Sequence, residues 1–356
     1  MPIKFDSRPL VMRRVYTATM RATVVLGWRD QVHHGMHLFF VIAAAVVSRA
    51  VANQQVLDAA GSEILGTLYA IVALIGGLCV AALGWFARNH DVGRLVRIVH
   101  LCVAASMGLA FLLPSTRGFA IAKYVAMELN AGFLLLIFGL TLGARLGPRD
   151  TRRSAARVGT GGIIGGLAGG AINLLATLVG SPQLFLIAAA LAVAPVFWLP
   201  RVITHGAPVQ RVTRDRAEVP ELQPYGYWVA AATLVMVAAT TLIDYQFRYA
   251  AVHWFDADEM TAFFGFVSIL AGCTTVAFQL TFLERLLDRY GVFVTATVMP
   301  ISLIIAAAMF GLFPAVFTLV VLKMVDSGAN MSVQQATGVF CSPPGPARAR
   351  CLAGAH

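Results

Sequence analysis

The chain has 356 residues, of which 58% are hydrophobic and only 12% charged, about half the charged share of a soluble domain. Its mean hydropathy is +0.76. These values exclude a soluble enzyme and a disordered chain. The apolar stretches are continuous instead of alternating, which excludes a β-barrel. The class is an all-α polytopic membrane protein.

The formal charge of +10 is explained by where the cations fall. Residues 1–34 form a basic segment carrying Lys4, Arg8, Arg13, Arg14, Arg21 and Arg29. No short apolar stretch with a small-residue cleavage site follows it, so no removable signal peptide is expected. Ten apolar spans come next, at 35–56, 64–86, 96–113, 119–142, 158–179, 183–199, 226–247, 260–281, 292–311 and 314–333. With the N-terminus placed in the cytoplasm, 22 of the 27 Lys and Arg residues fall in inside segments. Four fall near outside ends (Arg49, Arg117, Lys123 and Arg248), and Lys323 lies within a span. This alternation sets the expected orientation in the cell (inner or plasma) membrane. It accounts for the net charge without a nucleic-acid partner. The arm is either a solvated topology signal or rests on anionic lipid.

The longest connection, 200–224, holds four prolines and seven charges. It separates a first half of six spans (35–199) from a second half of four (225–335). Two helical halves joined by such a linker form the plan of many carriers. The loops after the second span of each half correspond. The second-half copy, Asp288-Arg289-Tyr290-Gly291, resembles a major facilitator superfamily loop motif.

The stretch 159–170 reads GTGGIIGGLAGG. It has no Gly-Lys-Ser/Thr for a phosphate loop, and Ile164 stands where a dinucleotide fingerprint needs glycine. Gly161, Gly165 and Gly169 form one ridge and Gly162, Gly166 and Gly170 another, which predicts close helix packing in lipid.

Polar groups inside apolar spans are the candidates for function. In the tenth span, Lys323, Asp326, Asn330 and Gln334 share a helical face. They are read either as solute contacts or as a pair holding two helices together. In the eighth, Ser268, Gly272, Thr275 and Gln279 form a milder stripe, read mainly as interhelical hydrogen bonding. Asp244 and Arg248 end the seventh span four residues apart and can pair. With Gln246 they are read as an outer gate or as a static interfacial pair. Asp288 and Arg289 join the gating set. Arg49 and Lys123 can bind an anion or anchor at the interface; Lys123 and Glu128 do not share a face. His33, His34 and His37 lack further ligands and are expected in a wet segment where the chain meets the membrane.

Five cysteines, Cys79, Cys102, Cys273, Cys341 and Cys351, show no metal or disulfide spacing. No cofactor and no metal are expected. No Ser/His/Asp, Cys/His or paired-carboxylate arrangement suggests catalysis.

Several segments together resemble the bacterial and plastid nucleotide (ATP/ADP) transporter family, a branch of the major facilitator superfamily. Arg152-Arg153 precede the glycine ridge. TLIDYQFRYAA (241–251) is similar to a family signature. AFFGFVSILAGCTTVAFQL (262–280) is followed by RLLDRYG (285–291), and VLKMVDSGANMSV (321–333) matches through Lys323, Asp326, Ser332 and Val333. The resemblance covers about half of the chain, 145–335. It implies a twelve-helix carrier working by alternating access. The first 140 residues resemble the family only loosely.

From 336 to 356 the chain departs from that pattern: SPPGPARAR cannot be a membrane helix. The expectation is that the reading frame was lost near residue 335, leaving about ten helices, six plus four, of an original twelve. The expected function is a secondary transporter for a nucleotide-like or other anionic solute. Lys323, Asp326, Asn330, Arg49, Lys123 and Gln279 would bind it. The rival is a truncated carrier that transports nothing, or a membrane anchor.

Overall fold

A computed structural model of the chain describes residues 28–89, 91–143, 148–197, 223–278, 301–313 and 317–326, with single positions at 281, 289 and 315. The expectations for Asp288, Gln279, Asn330, Gln334, the 200–224 linker's inner part and the tail lie outside the described residues. No strand occurs among those described.

The helices are α1 (Trp28–Ala60), α2 (Leu65–Asn89), α3 (Val92–Leu112), α4 (Arg117–Gly143), α5 (Pro148–Asn173), α6 (Leu184–Val193), α7 (Gln223–Trp254) and α8 (Ala257–Phe278). They are followed by α9 (Ile301–Leu312) and α10 (317–326). Six of the described helical stretches are each long and apolar enough to cross a membrane.

Most helices start earlier than the apolar runs do, because hydropathy marks the lipid-immersed part and capping marks the helix. Asp91 makes the point. Its Oδ2 accepts from the Arg94 amide at 3.1 Å and starts α3, ahead of the apolar run at 96. The fifth span is interrupted after Asn173 and resumes as one turn, Ala176–Val179, ending at Gly180 with φ +85°, a left-handed value that glycine adopts freely.

Helix α1 is the most buried of the six membrane-length stretches and α2 the least. Leu74, Leu78 and Trp85 of α2 and Ile304 and Leu312 of α9 are exposed, as suits a lipid-facing rim. The core of the first half gathers Val41, Val47 and Val51 of α1 with Met107, Met127, Leu134 and Phe185. A second core joins the halves. Leu57, Leu65, Leu68 and Tyr124 meet Phe247, Met260, Phe264, Leu319 and Val320, at the end of the bundle where α7 turns into α8. At that end the Ser181 amide also donates to Asp258 Oδ1 (3.2 Å), and Ser181 Oγ donates to Gln54 Oε1 (3.0 Å).

The glycine ridges do what their spacing predicts. A Cβ at Gly161 or Gly165 would overlap the backbone of Gly35 or Phe39, and one at Gly169 would stand 3.0 Å from the Ala43 carbonyl oxygen. The first ridge therefore lies against positions 35, 39 and 43 of α1, a four-residue row meeting another. On the second ridge, Gly162 and Gly166 face Leu38 and Ile42, while Gly170 crosses the halves. A Cβ there would be 2.7 Å from the Gly265 carbonyl oxygen, and a Cβ at Gly265 would be 2.6 Å from that of Gly170.

One expectation is corrected. His34 and His37 are fully buried and not in a wet segment. Helix α1 begins at Trp28, and its first turns run beneath α5 and beside α3. The His37 and His100 Nε2 atoms lie 3.0 Å apart, and His100 Nδ1 is 2.8 Å from the Ala192 carbonyl oxygen. Since a carbonyl only accepts, His100 Nδ1 carries the proton in the neutral ring, and His37 Nε2 donates to His100.

Gly165→Val is expected to lower stability by about 3 kcal/mol, read as a drop in thermal unfolding temperature in detergent. Gly77→Val, where nothing lies within 4 Å of an added Cβ, is expected to leave that temperature nearly unchanged.

Candidate solute-binding site

A cavity of about 370 Å³ lies between the halves. Its wall is built from α1, α4, α5, α7, α8 and α10. The glycine faces of α5 and α8 keep part of this wall smooth at Gly162, Gly166 and Gly272. The charged residues on it are Arg49, Asp244, Arg248 and Lys323, with Asn53 beside them.

Arg248 is the centre of the polar network. Its Nη1 donates to Asn53 Oδ1 (2.6 Å) and to the Tyr124 hydroxyl (2.9 Å). Its Nη2 lies 2.6 Å from Asp244 Oδ2 and 3.4 Å from Glu128 Oε1. The guanidinium is flanked by the rings of Tyr69 (5.4 Å) and Tyr124 (5.6 Å), a cation–π arrangement. Only 4% of its side chain is exposed. Its partners Asn53, Tyr124 and Glu128 belong to the first half, and Asp244 to the second.

Asp244 is filled from both sides. Oδ1 accepts from Lys323 Nζ (2.9 Å), and Oδ2 accepts from Arg248 and from the Tyr69 hydroxyl (3.0 Å). Lys323 Nζ also donates to Asp326 Oδ2 (3.1 Å) and lies 5.8 Å from the Phe247 ring centre. Arg49 Nη2 pairs with Glu128 Oε2 at 2.8 Å while 43% of its side chain remains exposed, toward the cavity it lines. Arg49, Arg248 and Lys323 thus alternate with Glu128, Asp244 and Asp326, so the six formal charges cancel.

The structure brings together Arg49, Asp244, Arg248, Lys323 and Asp326. It places Lys123 elsewhere. That ammonium donates to Gln55 Oε1 (3.0 Å) and the Leu113 carbonyl (2.9 Å) and sits near the Phe185 ring, inside the first half. Gln246 is exposed, two residues from Asp244 and hence on the opposite side of α7. Arg289 is exposed.

One reading is corrected, that of the eighth-span stripe. Helix α7 continues past Asp244 and Arg248 to Trp254, and both side chains turn inward to the cavity. Ser268 and Thr275 do line it, but their hydroxyls donate to Phe264 and Ala271 carbonyls of their own helix at 2.8 Å each, not across helices; a hydroxyl on a helix reaches its own previous turn without help. Asn53, Tyr69 and Tyr124 were not singled out by sequence. The polar run Asn53-Gln54-Gln55 late in the first span was the available signal.

Among the described residues, no group of three His, Cys, Asp or Glu is placed to hold a metal ion. Against known proteins, the chain matches no family profile and no curated sequence. Its fold matches solved transporter structures. The nucleoside transporter NupG aligns over 89% of this chain and 84% of its own, at 16% identity and a TM-score of 0.63. The xylose transporter XylE from E. coli, partially occluded and inward-open, aligns over 88% and 84%, at 15% identity and a TM-score of 0.57. A bacterial homolog of the human lysosomal transporter Spinster aligns over 88% and 78%, at 13% identity and a TM-score of 0.55. At such identities the likeness establishes the fold: the chain is an all-α, multi-pass membrane protein with the major facilitator fold.

Arg248→Ala leaves Asp244 and Glu128 short of a partner in a buried setting. It is expected to cost about 3 kcal/mol or more, read as a lower unfolding temperature. Gln246→Ala is expected to stay within about 0.5 kcal/mol of the parent.

Proposed function

We propose that the chain is a secondary transporter of the cell membrane that moves a small anionic solute, nucleotide-like in the leading case, by alternating access. The carrying observation is the composition of the cavity wall: three cations, Arg49, Arg248 and Lys323, against one carboxylate, Asp244. Glu128 and Asp326 stand behind that wall. The resemblance of 145–335 to nucleotide transporters supports the same solute class.

In this reading Arg49 and Lys323 contact the solute. Arg49 has guanidinium surface open to the cavity, and Lys323 is partly open. A fork of N–H donors matches phosphate or carboxylate oxygens. Arg248 has its terminal nitrogens engaged and acts instead with Asp244 as the gate, since their contacts to Asn53, Tyr124, Glu128 and Tyr69 must break for the halves to part. Asn330 and Gln279 would add amides, and Asp288 with Arg289 would form the loop motif on the cytoplasmic side. Lys123 would serve the first half's packing. With the N-terminus in the cytoplasm, the joined α7–α8 end faces outward and the conformer faces inward. The halves are 35–199 and 225–335.

A second reading, an uncharged polar solute, is favoured by the overall cancellation of the six charges. Proteins of similar fold include ones named for transport of nucleosides and of xylose.

The test is uptake into proteoliposomes from a panel of ATP, ADP, AMP, inorganic phosphate, uridine and xylose. Uptake of an anion, reduced at least about tenfold (~1.4 kcal/mol) in Lys323→Ala and in Arg49→Ala, is the expected result. Uptake of uridine or xylose alone would support the second reading. Unchanged anion uptake in both variants would remove the site assignment. No uptake at all would leave a membrane anchor.

A further inference from the structure

We propose that Asn53 is a specificity-determining contact of this cavity: Arg248 holds its carboxamide so that the N–H donors face the solute and bind one of its oxygens. The inference rests on the transporter reading of the cavity and names a further contact within it.

The orientation follows from the chemistry of two groups. A guanidinium carries donors and no acceptor. The end of Asn53 that meets Arg248 Nη1 at 2.6 Å is therefore the carbonyl oxygen, Oδ1. A carboxamide is planar and carries its oxygen and nitrogen on opposite sides, so placing Oδ1 also places Nδ2. Arg248 is itself held by Tyr124, Asp244 and Glu128. The gate thus dictates which end of Asn53 turns away from it.

That other end opens on the cavity. Asn53 is only 8% exposed, and it lies on the cavity wall with Arg49 and Lys323. Among the described residues Nδ2 donates to no protein atom, yet it is not sealed off. A donor in such a setting is costly until an acceptor completes it. The next two residues behave differently. Gln54 Oε1 accepts from Ser181 Oγ, and Gln55 Oε1 accepts from Lys123 Nζ, away from the cavity. Successive residues of a helix point in different directions, whereas residues four apart share a face. Arg49 and Asn53 therefore show the solute one charged and one neutral donor from the same face of α1, about 6 Å apart at Cβ. A phosphate or carboxylate, with oxygens in more than one direction, can span the pair.

The contact ties solute recognition to the gate. While Arg248 holds Oδ1, the cavity meets only the donor end of Asn53. When the halves part at the α7–α8 end that hold is lost, and the carboxamide is free to turn its oxygen inward, against an anion. The solute then binds the docked state more tightly, and such differential affinity is what a population shift requires.

The protein in lipid nanodiscs is labelled with isotopic asparagine for magnetic resonance, and the Asn53 side-chain amide signals are identified by their loss in Asn53→Asp. Before any solute is added, these protons are expected to receive magnetisation from water. Protons without that transfer are turned into protein and overturn the proposal. AMP, inorganic phosphate, uridine and xylose are then added singly. With a solute that binds, one Asn53 amide proton is expected to move downfield in the parent, which a purely structural role would not produce. Asn53→Asp keeps an oxygen for Arg248 and replaces the donor. Asn53→Leu removes the donor without adding charge. Both are expected to weaken binding at least about tenfold. An unmoved signal, or affinity kept in both variants, overturns the proposal. AMP or phosphate bound without the shift sinks Asn53 and spares the anionic reading. Uridine or xylose alone bound with the shift does the reverse. Binding of none of the four overturns the proposal together with the transporter reading.

Discussion

The guanidinium of Arg248 is the contact on which the bundle's present arrangement depends. Its terminal nitrogens reach Asn53, Tyr124 and Glu128 in the first half while holding Asp244 in the second. Removing a cation from water is expensive, and the cost is met only when every donor finds a partner. The terminal nitrogens of Arg248 meet that condition only while the halves are together at the α7–α8 end. In the proposed alternating-access reading, the network is a selector of state that favours this docking of the halves. Asp244 extends the selection to Lys323, and through it to the cavity wall.

What lets the halves dock so closely is the absence of side chains. In lipid no hydrophobic force pulls helices together, so backbone approach and dispersion contacts carry the packing. The row Gly161, Gly165 and Gly169 seats α5 on α1, and Gly170 meets Gly265 across the halves. With α1 held this near, Arg49 and Asn53 project into the same space as Asp244 and Lys323. A residue with a Cβ on these rows would push α1 outward and separate the cations from their carboxylates. Packing of the small residues and geometry of the charges are thus one constraint.

The sequence revealed much of this and missed the rest for definable reasons. Helical class, the order of the spans and the role of the glycine ridges follow from hydropathy and four-residue spacing, which are local properties. The pair Asp244 and Arg248 was visible for the same reason. Its partners were not legible, because the apolar run ends near 247 whereas α7 continues as a polar and aromatic helix to Trp254 and the inward contacts come from other helices. The burial of His34 and His37 was missed because it is produced by α3 and α5, far away in sequence. Asn53, Tyr69 and Tyr124 became meaningful only when three helices converged on one guanidinium. Lys123 shows the converse. A cation in a span drew attention, yet its partners are a glutamine and a carbonyl, and it does not line the cavity.

The central claim is that Arg248 holds the two halves together at the α7–α8 end. The most direct test is the distance between spin labels placed, in a cysteine-free background, at Leu178 and Trp254, which are exposed at that end on opposite halves. Pulsed electron resonance on the protein in nanodiscs should give one short, narrow distance population in the parent. Arg248→Ala should shift weight to a longer, broader population. An unchanged distribution in Arg248→Ala would contradict the account, because the halves would then be joined by their apolar contacts alone.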